Sequence, residues 1–91
     1  MSIEIERFLM RHSGWVLAGD ILFRRWVKET STDAVALMER IMRVSEQLDH
    51  HPEVTWSFRT VTLKLWTHET GCVGPRDLSW IERFEADETG S

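Results

Sequence analysis

Apolar positions along the chain follow two rhythms, one of three to four residues and one of two. Ile5, Phe8 and Leu9, with His12 one turn on, share a helical face and predict a short helix over residues 3–12. Ser2 is its expected cap, Glu4 and Glu6 complement the dipole of its first turn, and Gly14 ends it. His12 reads as a surface or capping residue. Residues 15–18 and 21–28 predict two strands joined by Gly19-Asp20. The second alternates Leu22, Arg24, Trp26 and Lys28 against Ile21, Phe23, Arg25 and Val27. Thr30-Ser31-Thr32-Asp33 is a capping cluster. Ala34, Leu37, Met38, Ile41, Val44, Ser45 and Leu48 then form one stripe of a long helix over residues 33–48. Val35, Met38 and Met42 widen that stripe, as extra core or as a subunit contact.

After Pro52 the rhythm returns to two. Residues 54–58 and 61–67 predict a second hairpin bent at Arg59-Thr60. In its latter strand Val61, Leu63, Leu65 and Thr67 should face helices, and Thr62, Lys64, Trp66 and His68 should face outward. A loop over residues 69–74 leads to Pro75, a favoured first helical residue, followed by Asp77 in the opening turn. Leu78, Trp80, Ile81 and Phe84 predict a last helix to about residue 86. The order α-β-β-α-β-β-α gives an α+β two-layer sandwich, a four-stranded antiparallel sheet with three helices on one face.

The length of 91 residues fits a single domain over 1–91, with residues 87–91 expected as a loose tail. A net charge of −4 argues against nucleic acid, whose phosphates require a basic face. Arg24, Arg25 and Lys28, beside Glu29, read as a solvated strand edge. No apolar run approaches the ~18 residues of a membrane span, so the expectation is a soluble, cytoplasmic protein with no membrane partner. The single cysteine, Cys72, cannot form an internal disulfide, in keeping with a reducing compartment. Five tryptophans stand beside no tyrosine, and most are expected to pack in the core.

Candidate chemistry centres on histidine. His50 and His51 close the long helix before Pro52, and His68 follows the last strand. Imidazole exchanges a proton near neutrality, its ordinary pKa being about 6.5. Three readings fit. His50, His51, His68 and Glu46 could ligate zinc, although adjacent side chains such as His50 and His51 usually diverge. The histidines could simply cap the helix. Or imidazoles and carboxylates could form a metal-free acid/base pocket for a polar ring. Glu46 and His50 are four residues apart, which would place carboxylate and imidazole on one helix face.

Glu46-x3-His50-His51-Pro52, then Phe58, His68 and Asp77, closely resembles the signature of the pterin-4a-carbinolamine dehydratase family. Gly14-Trp15, Asp49-His50-His51-Pro52-Glu53, Thr67-His68-Glu69 and Arg76-Asp77-Leu78 extend the likeness over most of the chain. The resemblance implies removal of water from a 4a-hydroxytetrahydropterin to give the quinonoid dihydropterin, in tetrahydropterin recycling. It implies His50 and His68 as the acid/base pair, Glu46 as an orienting catalytic group and His51 as the residue that grips the pterin. Asp49, Thr67, Trp15 and Asp77 would complete the substrate pocket. No metal and no organic cofactor are implied. The expected assembly is a homodimer with strand edges paired across subunits, with a tetramer as the alternative, and an aromatic amino-acid hydroxylase is a candidate functional partner. The alternative is a non-catalytic dimerisation cofactor or assembly chaperone on the same fold. Thr70-Gly71-Cys72-Val73-Gly74-Pro75 stands where the family has a small-residue pair and a hydroxyl cap for the last helix.

Overall fold

The computed structural model describes residues 3–90, with side chains described to residue 86; the expected Ser2 cap lies outside the described residues. Among them the order is α1 (Ile3–Arg11), β1 (Val16–Ala18), β2 (Ile21–Val27), α2 (Ser31–Leu48), β3 (Glu53–Ser57), β4 (Thr60–Leu65) and α3 (Pro75–Gly90). The strands form one antiparallel sheet in the order β1-β2-β4-β3, and the helices cover one of its faces. This is the expected α+β sandwich.

The period-two pattern of β4 sets the layering. Val61, Leu63 and Leu65 are fully buried, while Thr62 and Lys64 face away from the helices. Onto the buried row α2 lays Ala34, Leu37, Ile41 and Val44, and α3 lays Trp80, Ile81 and Phe84. Trp80 is a polar ring in this core, and its Nε1–H donates to Ser45 Oγ at 3.2 Å. The Ser45 hydroxyl donates in turn to the Ile41 carbonyl, so the buried pair leaves neither group unmatched. Thr30 caps α2 by accepting from the Asp33 amide at 3.0 Å.

Several expectations are corrected. Arg24 does not lie on a solvated edge, because β2 is an inner strand and Arg24 shares the helix-covered face with Leu22. Its guanidinium lies 5.4 Å from the Trp15 ring centre and 4.8 Å from that of Trp26. His12 is more than a surface residue: its ring stacks on Phe8 with centres 4.1 Å apart and hydrogen-bonds to Glu85, tying α1 to α3. The β3–β4 bend is at Phe58-Arg59, since Ser57 pairs with Thr60. Phe58 there has a φ of +53°, a left-handed conformation more at home in glycine or asparagine. Finally, α3 runs to Gly90, past the expected end near residue 86.

β3 is an edge strand. Val54 and Trp56 pair with Leu63 and Val61 and therefore point to the helix side, yet they are 37% and 49% exposed. The helices stop short of this edge.

Candidate active site

The long helix ends because Asp49 adopts the left-handed conformation, φ 48° and ψ 46°. The amides of Asp49 and His50 both donate to the Ser45 carbonyl, and Pro52 prevents further helix. This turn breaks the helical spacing on which a Glu46–His50 pairing would depend. Glu46 pairs instead with His51, whose Nε2–H donates to Glu46 Oε2 at 2.6 Å on an exposed surface. His50 is thrown the other way, into the protein.

There it meets Asp77, which is fully buried. His50 Nε2 and Asp77 Oδ1 are 2.5 Å apart, and an ionised carboxylate can only accept, so the imidazole donates. Asp77 Oδ2 accepts from the Thr67 hydroxyl and from the Gly74 amide, each at 2.8 Å. The Gly74 bond is the return half of a capping box, a side chain in the first turn of α3 reaching back to the residue before it. The Asp77 amide, which a hydroxyl cap would have received, donates instead to the Gly74 carbonyl at 3.0 Å. With Nε2–H engaged by Asp77, Nδ1 is the ring nitrogen left to exchange a proton.

Asp49, His50, His51, His68, Glu69 and Arg76 line a cavity of about 240 Å³. The fold thus brings His50 and His68 together across 18 residues of chain. His51 and Asp49 join them at the wall, and Thr67 and Asp77 sit behind His50. Glu46 does not line the cavity and reaches it only through His51. Trp15 is not brought there. It is buried in the core, edge-on to Trp26 and Trp80 with ring centres 5.9 and 6.3 Å away. Among the described residues, no group of three or more His, Cys, Asp or Glu side chains is placed to hold a metal ion.

Two further lining residues, Glu69 and Arg76, lie in the motif segments of the resemblance but carry no site role in the sequence reading. Arg76 Nη2 donates to the Asp49 carbonyl at 2.7 Å, fastening the first turn of α3 to the end of α2. One signal was present. A cation is disfavoured in the first turn of a helix, so an arginine just after Pro75 invites the question of what it holds. A larger depression of about 590 Å³ lies near the opposite end of α2, beside Lys28, Asp33 and Arg40, and contains none of the expected residues.

The family model for pterin 4 alpha carbinolamine dehydratase matches residues 2–86. A relative from Streptomyces avermitilis is 40% identical over 83 residues, covering 90% of this chain and 82% of its own. One from Thermomicrobium roseum is 35% identical over 80 residues, covering 88% and 86%. Both carry the provisional name pterin-4-alpha-carbinolamine dehydratase. The chain belongs to the pterin-4-alpha-carbinolamine dehydratase family. In fold it is similar to a transcriptional coactivator/pterin dehydratase from Brucella melitensis, with a TM-score of 0.84 at 22% identity over 94% of this chain and 95% of that one. It is also similar to a pterin dehydratase-like protein described as a RuBisCO assembly factor of the alpha-carboxysome, with a TM-score of 0.68 at 20% identity over 82% and 89%. No helix among the described residues is long and apolar enough to cross a membrane.

Proposed function

We propose that the protein dehydrates a 4a-hydroxytetrahydropterin to the quinonoid dihydropterin. The observation that carries this reading is the cavity where His50, backed by buried Asp77, faces the same space as His51 and His68. In the reaction the N5–H proton passes to a base, its bonding pair forms the N5=C4a double bond, and the C4a–O bond breaks. The departing hydroxyl takes a proton from an acid and leaves as water, so no other reactant is needed. His50 Nδ1 serves as the base, with Asp77 stabilising the imidazolium that forms. His68 serves as the acid at the hydroxyl. His51, held by Glu46, and Asp49 grip the polar ring.

The proposed chemistry draws on neither metal nor organic cofactor. Its substrate would come from a pterin-dependent hydroxylase, such as one acting on an aromatic amino acid, in the cytoplasm. The decisive assay follows quinonoid dihydropterin formation from freshly generated 4a-hydroxytetrahydropterin. Dehydration well above the spontaneous rate, lowered steeply to a small residual rate in folded His50→Ala and His68→Ala variants, is the expected outcome. A wild type no faster than buffer would remove the reading.

A protein-binding role has its own support. Val54 and Trp56 of β3, with exposed Phe58 at the bend after it, lie beside Met38, Met42 and Pro52 of an apolar depression of about 250 Å³ that Val54 also lines. An unpaired edge strand with apolar side chains fits a second copy of the same edge, giving a homodimer, or a tetramer if the α2 surface also pairs. Analytical ultracentrifugation of Trp56→Glu tests this: a fall to monomer mass is expected, and an unchanged oligomer would refute it. A dimer without dehydratase activity would favour a non-catalytic assembly role.

A further inference from the structure

Each histidine of the cavity is restrained in a different way. His50 is held by the Asp77 carboxylate and His51 by that of Glu46. His68 has no hydrogen bond to any described residue; its ring lies flat on the indole of Trp66, centres 4.7 Å apart and planes within 4°. We propose that Trp66 is a positioning residue for His68, fixing the imidazole plane toward the cavity while leaving both ring nitrogens free. The inference rests on the dehydratase reading and deepens it.

The difference between a carboxylate and an indole matters here. A carboxylate occupies one imidazole nitrogen and commits the ring to one tautomer. A stacked ring contacts only the face and occupies neither nitrogen. His68 can therefore give a proton from one nitrogen and recover one at the other without turning over. That suits the group that hands a proton to the departing hydroxyl and must be recharged before the next turnover.

The local chain supports the arrangement. Trp66 and His68 flank Thr67, and Thr67 is pinned twice. Its backbone bridges to Cys72, its amide donating to the Cys72 carbonyl at 3.0 Å, and its hydroxyl donates to Asp77. With the middle residue fixed at the start of the turn, the flanking side chains lie on one side with their rings stacked. Trp66 is half-buried whereas His68 is exposed, so the indole is the fixed partner and the imidazole the one being held.

The test uses the full chain with Trp66→Leu, Trp66→Phe and His68→Ala, alone and combined, each checked for fold by far-ultraviolet circular dichroism. In the wild type, ring-current shielding by the indole should displace the His68 ring-proton resonances upfield. Trp66→Leu should abolish that displacement and lower kcat on the order of tenfold to a hundredfold with little change in KM. Trp66→Phe should restore both. In the His68→Ala background, Trp66→Leu should cost nothing more. An active wild type whose kcat is unchanged by Trp66→Leu would overturn the role of Trp66 alone. So would a rise confined to KM, or a full additional loss in the His68→Ala background, since either would mean direct contact with substrate. A wild type without dehydratase activity would sink the parent reading, and the catalytic role of the stack with it.

Discussion

His50 Nε2–H donates to Asp77 Oδ1 at 2.5 Å, and Asp77 has no exposure to solvent. The other oxygen of that carboxylate accepts from Thr67 and from the Gly74 amide, so an ionised group matches every donor facing it. An asparagine has the same shape but replaces one oxygen with a donor. In Asp77→Asn the amide NH2 meets either the Thr67 and Gly74 donors, which lose their acceptor, or His50 Nε2, which must then accept and move its proton to Nδ1. The expected loss of stability is about 1–3 kcal/mol, read from urea unfolding at unchanged m. The dehydratase kcat should fall by roughly a hundredfold or more, because the base loses its tautomer and its counter-charge. A variant equal to wild type in both would show that the pair is ornamental.

Glu46→Gln should behave in the opposite manner. The Glu46–His51 pair has side chains 68% and 55% exposed, so its contribution to stability is at most about 1 kcal/mol. If Glu46 acts only by steadying His51, the substitution should raise KM and leave kcat nearly unchanged. A collapse of kcat with constant KM would instead make Glu46 part of the proton transfer.

The contrast between these two carboxylates marks where the sequence stops being legible. Element order and the buried rows of α2 and β4 follow from periodicity, because burial on one face imposes it. The pairing of the histidines does not. A four-residue spacing joins Glu46 to His50 only while the helix lasts, and a single left-handed residue, Asp49, ends it and reverses the partners. Arg24 escaped for a related reason: an inward-facing cation is legible only once the Trp15 and Trp26 rings that accept it are known to be adjacent. Trp15 carries a family motif position, yet its neighbours make it a core residue, which spacing alone could not reveal. The contact of His12 with Glu85 joins distant parts of the chain and leaves no local trace.

His12→Ala removes that contact and the stack on Phe8. The substitution should weaken the docking of α1 by about 1 kcal/mol and expose its bonds to limited proteolysis before any other element. Cleavage that begins elsewhere would place the weakest seam away from α1.

Phe58→Gly separates the turn from the surface it carries. Glycine accepts the left-handed φ of +53° without a Cβ clash, so under monomeric conditions unfolding stability should be unchanged or higher by up to about 1 kcal/mol. Self-association should weaken, because the exposed ring is lost from the edge strand. Lower stability of the monomer would mean that the phenyl ring packs within its own chain.

Asp77 holds the end of α2 through His50, the segment after β4 through Thr67, and the start of its own helix through the Gly74 amide. A site joined in this way has no small opening motion that spares it. Backbone amides around His50, Thr67 and Gly74 should exchange with solvent deuterium only through global unfolding, even though the cavity they border is open to water. Substrate would then enter an arrangement already formed, and its binding should leave that slow exchange pattern largely unaltered.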